Sequence, residues 1–528
     1  MPSLAPFSTR YAPHGMVCAV DHLAAEAGIA MLRAGGSAAD AAVAASAVLA
    51  VTTQHMCGMG GDLFALVHER GHLTPTCLNS SGRAGSGADP DALRAEGHRV
   101  MPFRGDIRSV PVPGCVDGWL MLHGRHGRLA LREVLAPAVG YAANGFPASP
   151  TLARSVALVH QLADAADYVA NGRLHPGDTV RRPGVARALD AIVEHGRDGF
   201  YGGEFGEGLL ALGGGEYEAS DLDRSQADWV EPISVDALAR TIWTVPPNSQ
   251  GYLTLAGAWI ADGLDLPEDP DDAMWAHLTI EAARQAAYDR PEVLSETADA
   301  GAFLAPDHLG PRRKIIDRDR AAALGDSYRA GGTMYLCAVD DERMGVSLIQ
   351  SNAAGWGSHL VEPSTRIFLQ NRGVGFSLEP GHSAEYGPGR RPPHTLAPAL
   401  TTIGTSLDMV IGTMGGDTQP QILLQVLARL TRCGQSPAEA IAAGRWGLAS
   451  PTPGTGFDTW AAGGDVVVRL EGHAPTTWDV PLSERGHQVQ RAGAFEHEFG
   501  HAHVIRVVDD HLAGASDPRA LSGTAAAW

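Results

Sequence analysis

Arg329-Ala-Gly-Gly-Thr333-Met-Tyr-Leu-Cys-Ala-Val-Asp340 puts a hydroxyl directly behind a glycine pair and in front of a short apolar run. Read locally, Thr333 is the first residue of a strand after a turn. A break at the Gly332–Thr333 bond would change its chemistry, because Thr333 would then carry a free amine beside its own hydroxyl. A terminal α-amine titrates at about 7.7–8.0, close enough to neutrality to take the hydroxyl proton and return it to a leaving group. A lysine amine would stay protonated, and an unassisted threonine hydroxyl is a poor nucleophile.

The N-terminal third supplies a strong local pattern. Small and apolar residues recur at helical spacing from Leu23 to Ala34, and Gly35-Gly36 provide a stop. Ser37-Ala-Ala-Asp40 then reads as a capping-box variant that opens a second, alanine-rich helix. The turn Gly58-Met-Gly-Gly61 leads into a strand from Leu63 to His68. A dinucleotide-binding loop follows a strand and opens a helix, so this glycine turn reads as structural. Further helices are expected at Met274–Arg290 and Thr418–Arg432. Strands are expected at Gly345–Ile349, Asp465–Leu470 and His503–Val508.

Taken in order, these segments resemble the γ-glutamyltranspeptidase family, whose precursors cut themselves before a threonine. The resemblance rests also on Pro111-Val-Pro-Gly114, Pro246-Pro-Asn-Ser-Gln-Gly251, Gln350-Ser-Asn352, Gly355-Trp-Gly-Ser358, Arg391-Pro-Pro-His-Thr395, Gly412-Thr-Met-Gly-Gly416 and Gly514-Ala-Ser-Asp-Pro-Arg519. It implies an α/β (α+β) fold, the four-layer αββα sandwich of N-terminal-nucleophile hydrolases, as one interwoven unit. It also implies a large fragment, 1–332, and a small fragment, 333–528, that share one core as a heterodimer and allow a dimer of heterodimers.

The resemblance assigns residues. Thr333 is the nucleophile, and Ser351 stands where a second hydroxyl supports it, as serine rather than threonine. Gly415 and Gly416 precede a helix and offer two backbone N–H groups to an oxyanion. Arg83 matches the arginine that grips a donor's carboxylate through a guanidinium fork. Asn352 lies near a substrate-contacting asparagine, with the register one residue off.

The departures from the family pattern are informative. Gly375 stands where a γ-glutamyl enzyme carries the aspartate that holds the donor's ammonium. Arg372 adds positive charge nearby, and His394 and Thr395 replace the paired serines. A pocket with arginines and no acid favours acyl groups that bear a carboxylate but no ammonium, as in the acylase-like and oxamate amidohydrolase-like branches. Residues 377–389, rich in proline and glycine, suit a lid over the pocket or an ordinary surface loop.

The expected function is therefore an autoprocessing amidohydrolase or acyltransferase acting on a small-molecule amide, with no metal and no other cofactor. A γ-glutamyl hydrolase or transpeptidase acting on glutathione-like donors is the alternative within this class. An unprocessed, non-catalytic metabolite-binding homologue is the alternative outside it. His497-Glu-Phe-Gly-His501 fits the H-E-x-x-H zinc motif, but that chemistry needs a helix and Gly500 interrupts one.

Composition excludes other classes. The 528 residues carry 40 Lys and Arg against 60 Asp and Glu, and a net charge of −20 opposes binding to nucleic acid or an anionic membrane. Hydrophobic residues make up 44%, enough to fill a large core. The six cysteines have no metal or disulfide-framework spacing and read as reduced core residues. The N-terminus lacks a basic segment followed by an apolar core, and no run reaches membrane-span length, so cytoplasmic residence is expected.

Overall fold

Every residue of the strand Met334–Val339 is buried. Successive side chains of a strand point to opposite faces, so a strand that is apolar throughout must be covered on both sides. Met334, Leu336 and Ala338 join one apolar cluster, whereas Tyr335, Cys337 and Val339 join another. The strand Asp62–His68 divides the same way, with Leu63, Ala65 and Val67 in the first cluster and Phe64 and Leu66 in the second.

The computed structural model describes residues 7–169, 173–323, 333–449 and 466–528. Gly332, the N-terminal side of the expected cut, lies outside them, as does Asp465 at the start of one expected strand.

Two seven-stranded antiparallel sheets form the centre. One runs in the order Thr524–Ala527, Met16–Ala19, Met334–Val339, Gly345–Ser351, Asp62–His68, Thr76–Ser80, Asp228–Val230. The other runs Arg10–Ala12, His511–Ser516, Ala502–Val508, Ser406–Thr413, Ala399–Ile403, Arg240–Thr244, Ile233–Ala237. Both draw strands from either side of residue 333, so a cut there leaves the core shared.

Helices complete the four layers. His22–Arg33 and Ala38–Thr52 cover the outer face of the first sheet and share its cluster with Leu336, Ala338 and Leu348. The capping box forms as expected: Ser37 Oγ accepts from the Asp40 N–H, and the Asp40 carboxylate accepts from the Ser37 N–H. Tyr252–Asp262, Ala273–Ala286 and Gln419–Thr431 cover the second sheet against Ile242, Met409 and Ile411. Between the sheets lie Phe64, Tyr335 and Ile349 from one side and Leu400, Val410 and Ile505 from the other. The architecture is the expected αββα sandwich.

One helix is shorter than its periodicity suggests. It ends at Ala286, and a separate turn, Arg290–Val293, starts anew. Pro291 lacks the N–H needed to continue the ladder but suits a first helical turn.

Register positions the chemistry. Met334 pairs with Gln350 and Ser351 pairs with Asp62. Continuing the first ladder by one residue sets Thr333 opposite Ser351, so Thr333, Ser351 and Asp62 form one row across three strands, on the inter-sheet face. A slip of one residue would turn that row into the helix layer and bury its polar groups among aliphatics. The opposite sheet approaches closely here, since a Cβ on Gly412 would lie 2.2 Å from the Tyr335 ring. Only glycine permits that contact, which brings the end of the strand Ser406–Thr413 over the strand Met334–Val339.

Candidate active site

Thr333 is 1% exposed and its Oγ1 lies 3.3 Å from Ser351 Oγ. The Ser351 oxygen accepts from the Ala353 N–H at 2.8 Å and from Arg372 Nη2 at 3.2 Å. Either hydroxyl of the Thr333–Ser351 pair can be the donor.

Arg372 is the hub of this cluster. Besides Ser351, its Nη1 donates to Thr395 Oγ1 at 3.2 Å and its Nε to Asp62 Oδ2 at 2.9 Å. His394 completes the set. The Leu396 N–H donates to its Nδ1 at 3.2 Å, so the ring proton sits on Nε2 and is given to Asp62 Oδ2 at 2.8 Å. Burial, reinforced by Arg372, pushes the His394 pKa down to about 4, so the ring is neutral. Burial alone would raise Asp62, but His394 and Arg372 outweigh it and hold the carboxyl below its ordinary range. Asp62 Oδ1 is buried and has no partner among the described residues.

Asp62 corrects the sequence reading of a pocket without an acid. The acid is present, but it arrives from a strand distant in sequence and is already matched by Arg372. The only local mark it carries in the sequence is its place after Gly61 at the head of the expected strand Leu63–His68.

Gly415 and Gly416 turn the chain from strand to helix with φ of 141° and 57°, conformations that side chains resist. Thr418 Oγ1 closes the turn by donating to the Gly415 carbonyl at 2.8 Å. The two glycine N–H groups meet no acceptor among the described residues. Gln250, to which the sequence analysis gave no role, ties this turn to the site: its Nε2 donates to the carbonyls of Thr395 at 2.9 Å and Gly416 at 3.0 Å.

Arg83 lies in a second cluster, reached through Arg391. Arg83 Nη2 donates to Asp228 at 2.8 Å, and Arg391 donates to the same carboxylate at 2.5 Å. Glu296 faces Arg83 at 3.8 Å and Arg390 at 3.3 Å. Three guanidiniums thus meet Asp228 and Glu296, Arg390 is also within electrostatic reach of Glu385, and Arg391 stands three positions before His394 in the chain. Burial lowers Arg391 to about 10, still charged at neutral pH.

Asn352 is fully buried, and its Nδ2 donates to the Gln54 carbonyl at 3.1 Å, joining the end of the strand Gly345–Ser351 to the segment that follows the helix Ala38–Thr52. Residues 377–389 are anchored at several points. Ser377 exchanges backbone bonds with Ala384 and Tyr386, Arg94 pairs with Glu385, and the Tyr386 hydroxyl donates to Glu216. His497–Phe499 is a single 3-10 turn, and His497 Nδ1 and His501 Nε2 lie 3.1 Å apart, in hydrogen-bond contact with each other. The helix that the zinc motif requires is not formed. Among the described residues no helix is long and apolar enough to cross a membrane.

Comparison with known proteins agrees with this geometry. Residues 24–528 match the family model described as gamma-glutamyltranspeptidase. The chain is 35% identical to the oxamate amidohydrolase proenzyme of Klebsiella pneumoniae, with 99% of this chain and 100% of that one covered. It is 32% identical to a glutathione hydrolase-like proenzyme of Bacillus subtilis, covering 96% and 97%. The crystal structure of cephalosporin acylase from Bacillus halodurans superposes with a TM-score of 0.89 at 34% identity, covering 100% and 98%.

Proposed function

The chain belongs to the gamma-glutamyltranspeptidase family, and from that premise we propose that Thr333, freed by cleavage after Gly332, hydrolyses amides whose acyl group carries a carboxylate. The hydroxyl pair Thr333–Ser351 at 3.3 Å is the observation that carries this reading.

The steps follow from the groups present. The Thr333 amine takes the hydroxyl proton as the oxygen attacks the amide carbonyl. Ser351 shares a hydrogen bond with Thr333, and as a donor it would steady the Thr333 oxygen while its proton passes to the amine. The oxyanion that forms meets the Gly415 and Gly416 N–H groups, a pair of donors of the kind worth about 2.7–4 kcal/mol each in the barrier. Collapse expels the amine of the substrate, which leaves with the proton held by Thr333, and an ester remains on Oγ1. Water then attacks the ester, giving its proton to the same amine, which passes it to Oγ1 as the ester C–O bond breaks, so the acid departs and the Thr333 hydroxyl is restored. An amine in place of water would complete a transfer instead.

The grouping of Arg83, Arg390 and Arg391 supports a carboxylate on the acyl group. The relatives with oxamate amidohydrolase and acylase activities support the same class.

One observation favours a second reading. Asp62 Oδ1, buried and unpartnered among the described residues, is an acceptor that a γ-glutamyl ammonium would satisfy. Paired amides decide between them. With glutaryl and γ-glutamyl derivatives of one amine, the first reading predicts kcat/KM at least about tenfold higher for the glutaryl amide, since the ammonium would be desolvated beside arginines. A preference for the γ-glutamyl amide would overturn it in favour of the second.

A further inference from the structure

A trans peptide unit carries its C=O and its N–H on opposite edges, so a group that holds the carbonyl also aims the amide. Two such trans units form the turn between the strand Ser406–Thr413 and the helix Gln419–Thr431. The first joins the Met414 carbonyl to the Gly415 N–H, and the second joins the Gly415 carbonyl to the Gly416 N–H.

Each of these carbonyls is held by a buried threonine hydroxyl. Thr413 Oγ1 donates to the Met414 carbonyl at 2.7 Å, and Thr418 Oγ1 donates to the Gly415 carbonyl at 2.8 Å. The Thr418 N–H reaches the same Gly415 oxygen at 3.1 Å. Gly500 makes the first contact possible. Its φ is 80°, and a Cβ there would lie 2.6 Å from the Met414 oxygen and 2.7 Å from Thr413 Oγ1. The glycine that interrupts the H-E-x-x-H pattern is thus the residue that leaves this hydroxyl and this carbonyl room to meet.

A carbonyl that accepts a hydrogen bond polarises its own peptide unit and strengthens the N–H on the far edge as a donor. The glycines bring no side chain to hold these planes, so their tilt is set by what the carbonyls bind. We propose that Thr413 and Thr418 are positioning residues for the oxyanion, their hydroxyls aiming and strengthening the Gly415 and Gly416 N–H groups from the edge that faces away from the substrate. The inference rests on the reading above, in which those two amides receive the oxyanion. Gln250 holds the next carbonyl, Gly416, so the helix end of the turn stays anchored when either hydroxyl is removed.

Thr413→Ala and Thr418→Ala, each beside the serine variant that restores the hydroxyl, test it with a glutaryl amide. Acylation of Thr333 is followed by rapid quench and counted per cut chain by intact mass. Valerate, which keeps the acyl chain and one carboxylate but has no carbonyl at the reacting end, reports ground-state binding as a competitive inhibitor. Each alanine variant should acylate at least about fivefold more slowly, the effect of one lost hydrogen bond, and up to about 10²-fold if the donor is misaimed. The valerate inhibition constant should move less than about twofold, and the serine variants should keep most of the wild-type rate. Acylation within about twofold of wild type in both alanine variants overturns the inference. Valerate binding that weakens in step with the rate overturns it too, as do serine variants as slow as the alanine ones. A wild type that never acylates Thr333 refutes the hydrolase reading and the inference with it, whereas an acylating wild type beside unaffected variants refutes the inference alone.

Discussion

Replacing Arg372 by methionine should destabilise the protein by about 3–5 kcal/mol. The guanidinium is 1% exposed and Asp62 is wholly buried, so their ion pair is shielded from water. Truncating one partner of such a pair leaves an uncompensated buried charge, which is the costly event. His394 would remain on Asp62 Oδ2, but as a neutral donor it cannot replace the lost charge. The double variant Arg372→Met with Asp62→Leu removes both charges. What remains is an unpaired His394 Nε2–H and the hydroxyls of Ser351 and Thr395 without their donor. A buried unsatisfied group costs about 1–3 kcal/mol, so the double variant should be more stable than the single one. Urea denaturation in a Thr333→Ala background, in which a covalently intact chain is predicted, measures both with a common slope. A single-variant cost below about 1 kcal/mol would refute the reasoning, and so would a double variant no more stable than the single.

Gly415→Ala should lower kcat about 10²-fold or more, because its φ of 141° resists a side chain and a Cβ would lie 2.7 Å from Thr418 Oγ1; steady-state kinetics on a glutaryl amide would show it. Ser351→Ala should slow turnover about fivefold by removing one hydrogen bond of about 1 kcal/mol, and Ser351→Thr, which keeps the hydroxyl, should retain most of the rate in the same assay. Glu216 is raised to about 7, chiefly by burial, while Tyr386 and Arg108 lower it and Asp106 and Asp221 raise it further. A carboxyl raised in the folded state stabilises below its unfolded value, about 4.3, and loses that contribution as pH climbs through 7. Hydrogen-exchange protection of residues 377–389 should therefore fall between about pH 4.5 and 7.5 and level off above that, and Glu216→Gln should abolish the dependence.

Local patterns in the sequence reached the helices at Leu23–Ala34 and after Ser37, because caps and periodicity act within a few residues. The pairing of Thr333 with Ser351 was reached through family order, and the ladder now gives it a physical basis: the tight turn at Asp340–Met344 sets the two hydroxyls opposite one another. Asp62 escaped notice because its partner Arg372 lies 310 residues away, and nothing near either residue marks the other. Gln250 escaped for a similar reason, since its role is to hold two backbone carbonyls, Thr395 and Gly416, and backbone geometry leaves little trace in sequence. The Arg83 cluster shows the converse. The arginine was visible as a motif, yet its carboxylate partners, Asp228 and Glu296, come from segments that carry no motif of their own.

The central claim is that one residue, exposed as a new N-terminus, is both nucleophile and base. Intact-mass and N-terminal analysis of the purified protein, before and after a rapid quench with a glutaryl amide, tests it most directly. Two fragments, the smaller beginning at Thr333 and gaining one glutaryl ester on that residue during turnover, are predicted, with no cleavage in Thr333→Ala. An uncut chain that hydrolyses the amide, or an acyl adduct on any other residue, would contradict it.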